Sequence, residues 1–263
     1  MLRSLCLHAM ALLTGASIAA AEEPAKPASR LYELRTYHAE PGKLDALNAR
    51  FRDHTLALFT KHGMTNVGYW TPKDNPDNLL IYLLSFPDKE SRDKAWKEFG
   101  ADPDWKAAQT ASEANGKLVG KIESRLLTPT DFSSEPKGIP KPTGKESAHL
   151  FELRTYTATP NNLPLLLKRF REHTVKLFER HGITNFLYTT PASGDPGADN
   201  TLVYLIQHAS ADTQVKSWAD FRADPEWVKV KADSEKAGGG SLTVLPDGVK
   251  SVLLVPTDYS PVK

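Results

Sequence analysis

The chain contains a long segment of itself twice. Leu31–Pro72 reads LYELRTYHAEPGKLDALNARFRDHTLALFTKHGMTNVGYWTP, and Leu150–Pro191 reads LFELRTYTATPNNLPLLLKRFREHTVKLFERHGITNFLYTTP, the two agreeing at 24 of 42 positions. The likeness runs on through LLIYL (79–83) and TLVYL (201–205), Trp96 and Trp218, and DPDW (102–105) and DPEW (224–227). Each copy closes on Thr-Asp-aromatic-Ser, at 130–133 and 257–260. A period this long marks a duplicated domain and excludes a solenoid, whose units are a few tens of residues. The expected layout is a leader at 1–21, a first domain at 30–133, a Pro-, Gly- and Lys-rich linker at 134–147 and a second domain at 148–260.

Each copy predicts strand, helix, strand, strand, helix, strand. Residues 31–38 alternate, and Leu44, Leu47, Phe51, Leu58 and Phe59 recur at helical spacing after Pro41. His62-Gly63 ends that helix, since glycine tolerates the left-handed turn beyond a C-terminus. Residues 65–71, 79–86 and 118–127 read as strands. Asp88 and Asp102 are placed to cap helices, the second with Pro103 at its first position. The fold class expected is α+β: two tandem ferredoxin-like βαββαβ domains. Each such sheet has one face bare of helices, and two in one chain can bury those faces together as a closed barrel.

The first residues, Met1-Leu2-Arg3 followed by an apolar run to Ala19-Ala20-Ala21, have the layout of a secretory signal cut after Ala21. The run is too short and too interrupted for a membrane span. The expectation is a secreted or periplasmic protein without an integral membrane segment in the mature chain. Cleavage removes Cys6, the one cysteine, which excludes disulfides, thiol nucleophiles and thiolate ligation. Lys and Arg number 33 against 32 Asp and Glu, so no basic excess exists to grip phosphates, and no nucleic-acid partner is expected.

YELRTY, R-F-R-x-H-T ending in H-G, LIYL, AW-x-x-F, D-P-x-W and the closing PTDFS together resemble the NIPSNAP family. The resemblance spans nearly the whole mature chain, twice. It implies the dimeric α/β-barrel architecture, here as a pseudo-dimer within one chain, and a biochemical role that the family leaves undefined. The wider superfamily includes monooxygenases, isomerases and haem-handling enzymes, an analogy of fold alone.

Strand 1 carries the sharpest candidates. A period of two sets Glu33, Arg35 and Tyr37 on one face and Tyr32, Leu34 and Thr36 on the other, and the second copy repeats this with Glu152, Arg154 and Tyr156. The apolar set is expected against the helices. The polar set is then expected inside the barrel, where a carboxylate can take a proton, a guanidinium hold an anion and a phenol relay a proton. Trp70 and Tyr82 are further ligand-binding candidates; Trp70 has Thr189 as its counterpart, so an aromatic wall would exist in one half only. His54, also a ligand-binding candidate, lies beside the apolar stripe of the first helix, and His62 at its end. Their spacing does not suit a metal pair, so no metal site and no cofactor is expected. Because strand 4 of the second copy replaces Glu123 and Arg125 with Lys250 and Val252, a single site is expected in the first half.

No G-x-S-x-G, Walker loop, H-E-x-x-H or dinucleotide fingerprint occurs. Two functions of different class follow. One is a binding or interaction module for a small hydrophobic ligand, with homo-oligomers left open. The other is a cofactor-independent monooxygenase- or isomerase-like enzyme working between the sheets. A large pocket lined by Glu33, Arg35 and Tyr37 favours the enzyme, and a filled barrel with Glu33 fully paired opposes it.

Overall fold

The computed structural model describes residues 30–133, 135–136 and 149–263; the leader and nearly all of the linker lie outside them. The first half runs β1 (Leu31–Ala39), α1 (Leu44–Arg50), a π-helical turn (Phe51–Thr55), α2 (Leu56–Lys61), β2 (Thr65–Pro72), β3 (Leu79–Phe86), α3 (Lys89–Ala101), α4 (Pro103–Ser112) and β4 (Val119–Pro129). The second half repeats it as β5 (Leu150–Thr157), α5 (Leu163–Arg169), a π-helical turn (Phe170–Thr174), α6 (Val175–Arg180), β6 (Thr184–Pro191), β7 (Thr201–His208), α7 (Ala211–Ala223), α8 (Pro225–Ala237) and β8 (Val249–Pro256).

The caps fall where the sequence put them. Asp88 accepts from the Ser91 N–H at 2.7 Å and Asp102 from the Asp104 N–H at 2.8 Å, while Gly63 sits at φ 76°. The first helix differs in two respects. It begins at Leu44, because Pro41-Gly42 forms a turn with Gly42 at φ 73°. It also widens to a π turn in which the Thr55 hydroxyl donates to the Arg50 carbonyl at 3.1 Å, as Thr174 does to Arg169.

Each half forms an antiparallel sheet, β4-β1-β3-β2 and β8-β5-β7-β6, and the two close on each other into an eight-stranded barrel. The seams are short. Trp70, Thr71 and Pro72 pair with Pro256, Val255 and Leu254; Leu127, Thr128 and Pro129 pair with Pro191, Thr190 and Thr189. Prolines sit at these strand ends, where a missing N–H stops the ladder.

Beyond each seam, the closing Thr-Asp-aromatic-Ser of one half crosses to the other. Thr257 donates its N–H to the Tyr69 carbonyl at 2.9 Å, and the Ser260 hydroxyl accepts from the Tyr69 N–H at 2.9 Å. Asp258 takes both arms of Arg52, each at 2.8 Å, and the Tyr259 ring packs on Tyr69. The mirror contacts join Thr130, Ser133 and Phe132 to Tyr188, and Asp131 to Arg171 at 2.7 Å twice. The repeated R-F-R-x-H-T and T-D-aromatic-S motifs are thus two ends of one reciprocal clamp.

Three apolar clusters result. Two lie between a sheet and its own helices, one around Phe51, Phe59, Tyr69, Tyr82 and Phe99, the other around Phe170, Phe178, Tyr188, Tyr204 and Phe221. The third fills the barrel with Tyr32, Trp70, Ile81, Leu83, Leu127, Phe151, Phe186, Leu187, Val203, Leu205 and Leu254. Trp70 stands 5.3 Å from Phe151 between ring centroids, and Phe151 5.3 Å from Phe186.

Candidate functional site in the cleft between helices and sheet

The facing of strand 1 is the reverse of the expectation. Tyr32 points into the barrel, with Leu34 packed against the same cluster. Glu33, Arg35 and Tyr37 point toward the helices, as do Glu152, Arg154 and Tyr156. The physical reason lies in what each side offers. The barrel cluster is made of aliphatic and aromatic groups, and burying a carboxylate among them costs far more than its apolar neighbours return. The helix side supplies donors: an indole N–H from each second helix, a serine from the last strand, and arginine, histidine or glutamine.

Glu33, fully buried, accepts from Arg35 at 2.7 Å, from Arg92 at 2.8 Å through two nitrogens, from Trp96 Nε1 at 2.7 Å and from Ser124 at 2.6 Å. Burial alone would raise its pKa, but the hydrogen bonds from Arg92 and Ser124, the charge of Arg35 and the bond from Trp96 outweigh it and hold it at about 2. A carboxylate so held is a poor proton acceptor at neutral pH.

The second half keeps the pattern with different donors. Glu152 accepts from Arg154, from Trp218 Nε1 at 2.8 Å, from Ser251 at 2.6 Å and from Gln214 at 3.3 Å, and pairs with His208 Nε2 at 3.1 Å. Its pKa is also depressed, burial being outweighed by His208, Arg154, Ser251 and Trp218. His208 is fully buried and stands where the first half has Phe86; Gln214 stands where it has Arg92. Overlaying the two copies at these positions is the sequence signal that exposes His208, which strand-1 reasoning alone missed.

The other candidates scatter. Tyr82 is sealed in the helix-side core, stacked on Tyr69 at 5.3 Å. Burial drives its pKa well upward, which keeps the phenol protonated. Trp70 does line the barrel interior, as its unmatched counterpart implied, and its indole nitrogen has no hydrogen-bond partner there. His54 is exposed on the π turn. His62 and His181 instead close on the capping aspartates, at 2.6 Å from Asp102 and 2.7 Å from Asp224, tying the end of one helix to the start of another. Among the described residues no group of three or more His, Cys, Asp or Glu is arranged to hold a metal ion. No helix among them is long and apolar enough to cross a membrane.

Of the strand-1 set, Arg154 and Tyr156 in the second half and Tyr37 in the first reach the edge of open space. In the second half Arg154 and Tyr156 line a cleft of about 540 Å3 with Trp218, Phe221, Trp227 and Glu235 among its walls. Arg154 lies over the Trp218 ring, 4.4 Å from its centroid, and donates to the Tyr156 hydroxyl at 3.0 Å. The corresponding first-half cleft is about 330 Å3, lined by Tyr37, Phe99, Trp105 and Glu113 among others. The larger space is therefore in the second half, where the divergence of strand 4 pointed to the first. Both volumes are of the size that small-molecule sites occupy.

A closed eight-stranded antiparallel barrel with four helices to each half, made from two copies in one chain, defines a single-chain dimeric α/β barrel. The NIPSNAP family model matches residues 32–134 and again 151–261, and the protein belongs to the NIPSNAP family. In fold it is similar to the crystal structure of a candidate monooxygenase from Fusobacterium nucleatum, at 12% identity and a TM-score of 0.58 over 88% of this chain and 94% of that one. A candidate monooxygenase from Lactobacillus acidophilus is similar at 8% identity and a TM-score of 0.53, over 87% and 94%. An uncharacterized NIPSNAP domain protein from Burkholderia xenovorans is 25% identical over 40% of this chain and 99% of that one, with a TM-score of 0.36. None of the curated proteins matches the chain.

Proposed function

We propose that the protein is a small-molecule-binding module whose ligand sits between helices and sheet, and not between the two sheets. One observation carries this reading: the barrel interior is occupied by an apolar cluster, while Arg154 and Tyr156 of the repeated strand motif open onto a cleft of about 540 Å3. The enzymatic alternative needs Glu33 or Glu152 as a base between the sheets. Both face the other way, Glu33 held by four partner side chains and Glu152 by five. Native mass spectrometry of the purified full chain tests the binding reading. A bound small molecule that leaves on denaturation supports it. An empty protein that also takes up no naphthalene-sized probe removes it.

The proposal includes export, on the strength of Arg3, the apolar run and Ala19-Ala20-Ala21. Expressed in a secreting bacterium, the chain is expected in the extracytoplasmic fraction, beginning at Glu22. An intact N-terminus retained in the cytoplasm refutes it.

A further inference from the structure

The two clefts descend from one plan, so their differences show what each half has been adapted to hold. At the floor of the first, the buried Arg50 guanidinium is neutralised by Glu113 at 3.0 Å. Its counterpart Arg169, also buried, keeps the other two contacts, stacking over Trp227 at 5.2 Å and donating to the Ser234 hydroxyl at 3.3 Å as Arg50 does with Trp105 and Ser112, but it is not on the lining of the larger cleft. Nε is unpartnered in both arginines; what differs is that no carboxylate lies within ion-pair distance of Arg169. The acid that would match Glu113 is Glu235, which turns to Lys231 at 3.8 Å.

The rim changes in the same sense. Arg222 stands where the first half has Gly100, and Lys231 where it has Gln109, both on the lining of the larger cleft. With Arg154 the lining carries three cations against the single acid Glu235, because Glu152 beneath is already saturated. The mouth also loses a charge: Val228, exposed, replaces Lys106. Between rim and floor the walls are rings, Trp218 at 5.7 Å from Phe221 and Phe221 at 4.4 Å from Trp227.

Resting on the binding reading above, we infer that the second half alone carries the ligand site, and that its ligand is an amphipathic anion: a flat apolar or aromatic body ending in a carboxylate or similar group. The body lies against Trp218, Phe221 and Trp227 and is covered at the mouth by Val228. The anionic end meets Arg222 and Lys231, where charge-assisted hydrogen bonds form without burying an acid unpaired. The first half, its floor arginine already matched by Glu113 and its lining holding Lys117 but no cationic counterpart of Arg222 or Lys231, serves the scaffold.

Calorimetric titration of the full mature chain with 2-naphthoate and with its neutral analogue 2-naphthamide tests this. One site per chain is expected, with naphthoate at least tenfold tighter than the amide and weakening as salt rises. R222E/K231E is expected to lower naphthoate affinity tenfold or more, while the same charge change at K94E/K97E, on the exposed face of α3, leaves it unaltered. Circular dichroism of each variant confirms that it is folded. Two equal sites, equal affinity for the amide, or indifference to R222E/K231E overturns the inference while leaving a binding module standing. Absence of binding by both probes overturns it too, and together with an empty native mass spectrum removes the binding reading as well.

Discussion

Glu33 and Glu152 organise their halves through charges that their surroundings were built to receive. Replacing Glu33 with Gln leaves Arg35 and Arg92 facing a buried neutral amide, and such a broken buried pair costs about 3–5 kcal/mol. Chemical denaturation should read that loss, with the fold retained at lower denaturant. The pH dependence has a definite sign. A carboxylate with folded pKa near 2, below the unfolded value of about 4.3, gives its stability in full above the unfolded value and loses it as pH falls toward 2. The denaturation midpoint is expected to drop below about pH 4, with a shallower slope in Glu33→Gln. A second residue-scale prediction concerns the barrel. A Cβ at Gly68 would stand 2.2 Å from the Trp70 ring, and the second half solves the same space with Leu187 and Thr189. Gly68→Leu alone should destabilise by about 1–3 kcal/mol through overpacking. Gly68→Leu with Trp70→Thr should recover most of it, as thermal melting of the single and double variants would show.

At the scale of elements, the caps illustrate what a sequence states openly. Asp102 and Asp224 each cap a helix and hold a histidine from the preceding one, so each joins two elements. Asp102→Ala should cost about 1–2 kcal/mol, the upper range for a lost cap, measurable as a shift in the urea midpoint. The strands, the capping aspartates and the turn glycines were legible because each rests on local chemistry: alternation, a short oxygen acceptor, a positive φ. The π turn was not, since Leu47, Phe51, Leu58 and Phe59 suit an unbroken α-helix equally well. The facing of strand 1 was not legible for a related reason. Alternation separates two sets of side chains without saying which side is drier. That depends on Trp96 and Arg92, some 60 residues onward, whose role as donors appears only when the helix is seated. The strand-1 candidates therefore stand on the side of the sheet opposite to the one their alternation suggests.

At the scale of the molecule, the repeat explains why the chain is one body. Each half exposes an apolar sheet face that it cannot bury alone, and the barrel cluster draws side chains from both. The seams add three residue pairs each, and the clamp adds two bidentate arginine–aspartate pairs at the surface. These contributions are unequal. The Arg52–Asp258 and Arg171–Asp131 pairs are solvent-exposed, where such pairs contribute about 0–1 kcal/mol. The shared apolar core, at roughly 25 cal/mol for each Å2 removed from water, dominates. The covalent linker should therefore be dispensable for association. Co-expressed as separate chains, residues 22–136 and 146–263 are expected to co-purify as a one-to-one complex, checked by size exclusion and native mass spectrometry. Arg52→Asp and Arg171→Asp together, which set like charges against Asp258 and Asp131, should loosen that complex by a few-fold at most. Phe151→Asp, which places a charge in the shared core, should abolish it. If instead the arginine variants separate the halves while Phe151→Asp does not, the clamp and not the core holds the pseudo-dimer together.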